Sequence, residues 1–213
     1  MARARLHIPL VLALLGLMTP LWGADTDAPV ILVLGDSLSA GYGLSSDQGW
    51  VALLERRLHE RGLPHRVVNA SISGDTTHGG VARLSAALAR HRPELVIIEL
   101  GANDGLRGMD PQRMRENLQE MIGLSQAQGA RVLLVGIRLP TNYGRRYRER
   151  FDAVFPELAR TTGVALVPFL LNGVAQRREL FQADGVHPTA AAQALMLDNV
   201  WSHLAPLLAE TSP

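Results

Sequence analysis

From Val30 onward the chain alternates short runs of β-branched and leucine residues with longer stretches of helical periodicity, and this alternation restricts the fold more than any other feature. The short runs are VILVLG (30–35), HRVVNAS (65–71), ELVIIELG (94–101), ARVLLVGI (130–137) and VALVPF (164–169). Near-continuous apolar runs of strand length, separated by amphipathic helices, belong to a parallel sheet covered on both faces. The first helical stretch sets Trp50, Leu53, Leu54 and Leu58 apart from Arg57 and Arg61, and the second repeats the spacing with Val81, Leu84 and Leu88. The third covers 111–129, opening on Pro111 and stopping at Gly129. A fourth covers about 145–161, and the last begins after Pro188 and carries Leu195, Met196, Val200 and Leu204. The expected fold is therefore α/β, a three-layer α/β/α sandwich on a five-stranded parallel sheet. Periodicity leaves the strand order open.

The first 23 residues stand outside this pattern. Arg3 and Arg5 precede an apolar stretch from Ile8 to Met18, a break at Thr19-Pro20, and the small residues Gly23 and Ala24. This is the make-up of a secretory signal, and the apolar stretch is too short to span a bilayer. The expectation is a signal peptide at 1–23, cleaved after Gly23, with a membrane anchor or a buried N-terminal helix as the other readings, followed by one domain at 24–213 with no stable membrane span, in the periplasm or secreted. Removing it takes two arginines and no acid, so the formal charge moves from +1 to −1. Such a near-neutral chain has no electrostatic case for a nucleic-acid partner.

Composition removes several chemistries. The sequence has no cysteine, and all 21 of its Lys+Arg positions are arginine. That excludes a thiol nucleophile, thiolate zinc, a Walker lysine, a Schiff-base lysine and a Ser-Lys dyad.

In sheets of this kind ligands bind beyond the carboxyl ends of the strands. There the sequence places Gly35-Asp36-Ser37, then Ser73-Gly74-Asp75, then Gly101-Ala102-Asn103-Asp104, then Arg138-Leu139-Pro140, and finally Asp184 three residues before His187. A hydroxyl, a small-residue turn, an amide and an Asp/His pair are the parts of an acyl-transfer site. Ser37 would be the nucleophile, His187 the general base and Asp184 the group that orients it. The backbone N–H groups of Ser37 and Gly74 and the side-chain amide of Asn103 would form the oxyanion hole.

Each part also has an ordinary role. Serine is a common helix cap, glycine a common turn residue, and Asp-Gly a common loop. Ser39 is a rival nucleophile, and His78, near Gly74, is a rival base. His59, His91 and His203 fall in or at the ends of helices, and His65 precedes a strand. The arginine-rich run at 145–150 reads as a solvated helix face, with a phosphate or coenzyme A tail as the other reading.

Taken in order, GDSLSAGYG, NASISGDTT, GANDG and DGVHP resemble blocks I, II, III and V of the GDSL, or SGNH, hydrolases, and the matched region spans 30–208. The four residues that name the family fall on Ser37, Gly74, Asn103 and His187. The resemblance implies the flavodoxin-like sandwich of that family, and esterase, thioesterase and lysophospholipase activity on small-molecule acyl esters or thioesters. It also implies neither metal nor organic cofactor. It implies further that the loop at 103–109 and the segment at 139–143 line the acyl cleft, with Leu106, Met109, Leu139 and Pro140 as candidate substrate-binding residues. Packing is the other role open to those four. A monomer is the default expectation.

Two other readings remain open on the sequence. Asp36, Asp75, Asp104, Asp184 and His187 also gather at strand ends and would suit a metal-dependent phosphoesterase. A non-catalytic flavodoxin-like binding module is the other, although no G-x-G-x-x-G follows the first strand.

Overall fold

The structure is a computed structural model that describes Met1 and residues 28–209. Apart from Met1, the expected signal segment lies outside the described residues. Five parallel strands form one sheet in the order β2-β1-β3-β4-β5: β1 (Val30–Gly35), β2 (Arg66–Asn69), β3 (Leu95–Glu99), β4 (Arg131–Val135) and β5 (Ala165–Val167). The three inner strands are the most apolar in sequence because helices cover both their faces. Every residue of β1 and β3 is buried, whereas edge strand β2 alternates exposed ends with a half-buried middle.

The helices are α1 (Ser37–Ala40), α2 (Trp50–Glu60), α3 (Thr77–His91), α4 (Ala102–Leu106), α5 (Pro111–Ala127), α6 (Arg145–Thr162) and α7 (Ala190–Ala209). α2 packs against α7 while α3, α5 and α6 pack in a row, giving a helical layer on each side of the sheet. The chain steps from β1 outward to β2 and then back across β1 to β3. A right-handed crossover in each direction puts α2 and α3 on opposite faces. The reversal opens a crevice at the carboxyl ends of β1 and β3. Among the described residues no helix is long and apolar enough to cross a membrane.

The five long helices lie where the periodicity puts them. Local chemistry sets their ends: Asp110 caps α5 through Gln112 N–H, at 3.2 Å, with Pro111 in the first turn, and Gly163 closes α6 in the left-handed region. Four strands are shorter than their apolar runs. Ile137 and Leu139, for example, are buried although the ladder of β4 ends at Val135. Apolar character follows burial, and here burial continues past the last paired residue.

Two short helices, α1 and α4, were not expected. Four or five residues hold too little periodicity to be read. The segment expected as a loop at 103–109 begins inside α4, which is held from several sides. Asp104, buried, accepts Thr77 N–H at 2.9 Å and Thr77 Oγ1–H at 2.6 Å. The hydroxyls of Tyr143 and Tyr147 donate to the carbonyls of Leu106 and Met109, at 3.0 and 2.7 Å.

Candidate active site

Ser37 is the first residue of α1, separated from the buried end of β1 by Asp36 alone. Asp36 caps that helix by accepting Leu38 N–H at 3.0 Å, and Gly41 ends it at φ 72°. The strand and its cap thus fix the serine at the crevice. His187 comes from the loop between β5 and α7, and its Nε2 lies 3.0 Å from Ser37 Oγ. Its Nδ1 lies 2.7 Å from Asp184 Oδ2. An ionised carboxylate only accepts, so Nδ1 carries the proton; Nε2 of the neutral ring is then free to accept from the Ser37 hydroxyl. The other oxygen of Asp184 accepts the backbone N–H groups of Val186 and His187, at 2.9 and 3.0 Å. Hydrogen bonding from the His187 ring, reinforced by those two N–H groups, lowers the Asp184 carboxyl to about 2.

Asn103 lies in the first turn of α4, and its Nδ2 donates to Asp36 Oδ2 at 3.1 Å. That bond uses one amide hydrogen and leaves the second for another acceptor. Asp36 is fully buried, and desolvation pushes its carboxyl up to about 6 against the opposing pull of its bonds to Leu38 and Asn103. Gly74 sits at φ 80° in the turn closed by Asp75 N–H to Ile72 O, 3.1 Å, and its carbonyl accepts from Arg107 Nη2 at 3.0 Å. A Cβ on Gly74 would meet nothing nearer than Arg107 Nη2 at 4.0 Å, so the backbone conformation, rather than crowding, calls for glycine.

The rivals lie elsewhere. Ser39 is a buried residue of α1 and donates to Glu99 Oε2 at 2.7 Å. Burial, with Asp36 nearby, holds the Glu99 carboxyl well above its usual range. His78 is exposed in the first turn of α3, apart from the line of bonds joining Asp184, His187 and Ser37. The strand-end aspartates do not converge on one point: Asp75 pairs with Arg83 at 2.7 Å, Asp104 with Thr77, Asp36 with Asn103 and Asp184 with His187. Among the described residues no group of three or more His, Asp or Glu is arranged to hold a metal ion.

The candidate substrate-binding residues divide. Leu139 is buried, and a Cβ on Gly105 would come within 2.6 Å of it and of Phe151, so it packs beneath α4. Leu106 is half-buried, while Met109 and Pro140 are exposed. Apart from Met1, the large apolar side chains exposed among the described residues are Tyr42, Ile72, Met109 and Val186. Each lies in a segment that delivers a site residue. The 145–150 run opens α6 and is largely tied up locally: Arg150 pairs with Asp110 at 3.0 Å, Arg145 lies 4.0 Å from Glu149, and Arg148 donates to Leu139 O at 3.3 Å.

Several groups at the site escape sequence reasoning. Asp36 enters it only as a candidate metal ligand. Arg83 binds Asp75 and the carbonyls of Ala70 and Gly35, joining the ends of β1 and β2 to the Gly74 turn. The Tyr42 ring lies 4.3 Å, centroid to centroid, from the His187 ring. Gln182 holds the carbonyls of Tyr42 and Pro188. The one hint in the sequence is Arg83, set beside Leu84 in the middle of α3.

Comparison with known proteins places the chain in a family. The family model described as GDSL-like Lipase/Acylhydrolase matches residues 33–195. Esterase TesA of Pseudomonas aeruginosa is 56% identical over 181 residues, covering 85% of this chain and 90% of that protein. Thioesterase 1/protease 1/lysophospholipase L1 of Escherichia coli is 44% identical over 204 residues, 96% of this chain and 94% of that one. A solved structure of TesA superposes with a TM-score of 0.82 at 56% identity, covering 84% of this chain and 99% of that one. With its fold and most of its length matched, the chain belongs to the GDSL-like lipase/acylhydrolase family.

Proposed function

We propose that this enzyme hydrolyses carboxylic esters and thioesters of acyl chains, aryl esters, acyl-CoA and lysophospholipids among them, through an acyl-enzyme on Ser37. The observation that carries the reading is the unbroken line from Asp184 through His187 to Ser37, at 2.7 and 3.0 Å. Ser37 Oγ attacks the substrate carbonyl while His187 Nε2 takes its proton, and Asp184 stabilises the imidazolium that forms. The negative oxygen of the tetrahedral intermediate is received by the N–H groups of Ser37 and Gly74 and by the free hydrogen on Asn103 Nδ2. One donor of this kind is worth about 2.7–4 kcal/mol in the transition state. His187 returns the proton to the departing alcohol or thiol, and then activates a water that releases the acid and restores Ser37. Apart from the substrate and that water, every group named in this cycle is a residue of the chain.

The apolar surface around the crevice favours an apolar substrate. Ile72, Met109 and Val186 stand exposed in the segments that carry Gly74, Asn103 and His187, and Leu139 supports α4 from below. Each methylene of an acyl chain covered there contributes about 0.8 kcal/mol. The active form is read as a monomer comprising residues 24–213, working in the periplasm or outside the cell after loss of residues 1–23.

The test is labelling with a fluorophosphonate followed by peptide mapping, beside Ser37→Ala and His187→Ala. Label on the Ser37 peptide, and loss of aryl-ester turnover in both variants, is the expected result. Label on Ser39, or wild-type turnover in Ser37→Ala, overturns the assignment. Loss of hydrolysis with a chelator and its return with a divalent ion would favour the phosphoesterase reading instead.

A further inference from the structure

Two loops meet at the face of the His187 ring. One leaves α1 through Gly41, Tyr42 and Gly43. The other runs from Phe181 to Pro188, which pair as an antiparallel bridge. Within it Gln182 N–H donates to His187 O at 2.8 Å and Gly185 N–H to Gln182 O at 2.9 Å. The base therefore sits at the end of a small closed loop. The Gln182 side chain then reaches out of that loop: its Nε2 donates to Tyr42 O at 2.8 Å and to Pro188 O at 3.0 Å, one hydrogen to each. A methyl group on Gly43 would overlap Gln182 Oε1, so glycine there leaves room for the amide. With its backbone held in this way, Tyr42 lays its ring on the His187 ring, the planes inclined by 36°.

The arrangement supplies something the Asp184 bond lacks. A bond at Nδ1 fixes one direction of the imidazole and leaves the ring free to tilt about that line. The Asp184 side chain is also 40% exposed, so water competes for it. A ring stacked on the face of the imidazole resists that tilt. We infer that Gln182 is a positioning residue for the reaction: by gripping the Tyr42 and Pro188 carbonyls with one amide, it keeps the Tyr42 ring against His187 and the imidazole in line with Ser37. It touches no reacting atom. The inference rests on the reading of His187 as the base.

The experiment compares Gln182→Ala, Tyr42→Ala, Tyr42→Phe and the double alanine variant with wild type on an aryl ester, with His187→Ala alongside. Misalignment of a reacting group costs up to about 100-fold, so Gln182→Ala and Tyr42→Ala should each lower kcat by about 10- to 100-fold with KM within about twofold. Tyr42→Phe keeps the ring and should restore most of the rate lost in Tyr42→Ala. Because both residues act on one ring, the double variant should lose little more than the worse single one. The downfield Nδ1 proton resonance of His187 should broaden in both alanine variants and not in Tyr42→Phe. If Gln182→Ala fails to fold, Gln182→Glu keeps the shape of the side chain but has no N–H for either carbonyl, and should show the same fall in kcat. Wild-type kcat in Gln182→Ala or Gln182→Glu, with His187→Ala inactive, overturns the positioning role and leaves the base assignment standing. An active His187→Ala overturns both.

Discussion

Ser37 Oγ and His187 Nε2 lie 3.0 Å apart although 150 residues of chain separate them. The serine is held by a buried strand and its cap, the histidine by a loop whose polar groups are bonded among themselves. Asp184 serves both the ring and that loop, one oxygen to each task. Substitution can separate the two. Asp184→Asn retains an oxygen for the backbone N–H groups of Val186 and His187 but not the charge, and kcat should fall by about 10²–10⁴-fold with little change in stability. Asp184→Ala should lose the rate and the loop together, so limited proteolysis should cut the 182–187 segment faster in Ala than in Asn. With the Asp184 carboxyl lowered to about 2, its contribution to stability is complete above its ordinary 3.8 and is lost as pH falls through about 2.

Asn103 stands between Asp36 and the crevice, one hydrogen committed and one free. Asn103→Ala should lower kcat by about 10²–10³-fold while KM changes little, because the missing donor acts on charge that develops in the transition state. Asn103→Asp should be worse, since it sets a second carboxylate against Asp36. Steady-state kinetics on one aryl ester would measure both.

Gly74 tests conformation against space. Since a Cβ there meets open surroundings while φ is 80°, Gly74→Ala should fold with a loss of about 1–2 kcal/mol from the left-handed backbone. Activity should fall further than stability, because relaxing the turn re-aims its N–H. Urea unfolding beside kinetics separates the two effects.

Ser39 of α1 and Glu99 of β3 form a buried pair. Ser39→Ala removes a donor from an inaccessible carboxyl and should cost about 1–3 kcal/mol in urea unfolding. The fluorophosphonate label should remain on the Ser37 peptide in this variant, a result that a nucleophilic Ser39 could not give.

Asp36 titrates in the opposite sense to Asp184. Burial raises its carboxyl to about 6, so the folded protein holds a proton that the unfolded chain releases near 3.8. Its contribution to stability is therefore complete below 3.8 and is lost as pH rises through about 6. Asp36→Asn should flatten the stability profile across that window, as read by the urea midpoint at a series of pH values.

Much of the sheet is legible in the sequence because strands buried on both faces must be apolar throughout, and β1 agrees with its run residue for residue. The short helices were not legible, since neither Ser37–Ala40 nor Ala102–Leu106 completes two turns. The site was readable as an inventory: Ser37, Gly74, Asn103, Asp184 and His187 belong to residue types whose chemistry is known in advance. Leu139 shows the limit, because an apolar residue after a strand reads alike whether it faces a substrate or, as here, the underside of α4.

By itself, then, the sequence determined the fold class, the strand ends as the place where polar groups gather and the candidates for the reacting groups, all of which follow from local periodicity and side-chain chemistry. Tertiary structure alone decided the strand order, the burial of Ser39 against Glu99, the orientation of Asn103 by Asp36, and the grip of Gln182 on the Tyr42 carbonyl 140 residues away. These contacts depend on distances and directions across elements remote in the chain, and a carbonyl or a buried amide leaves no periodic mark in the sequence that supplies it.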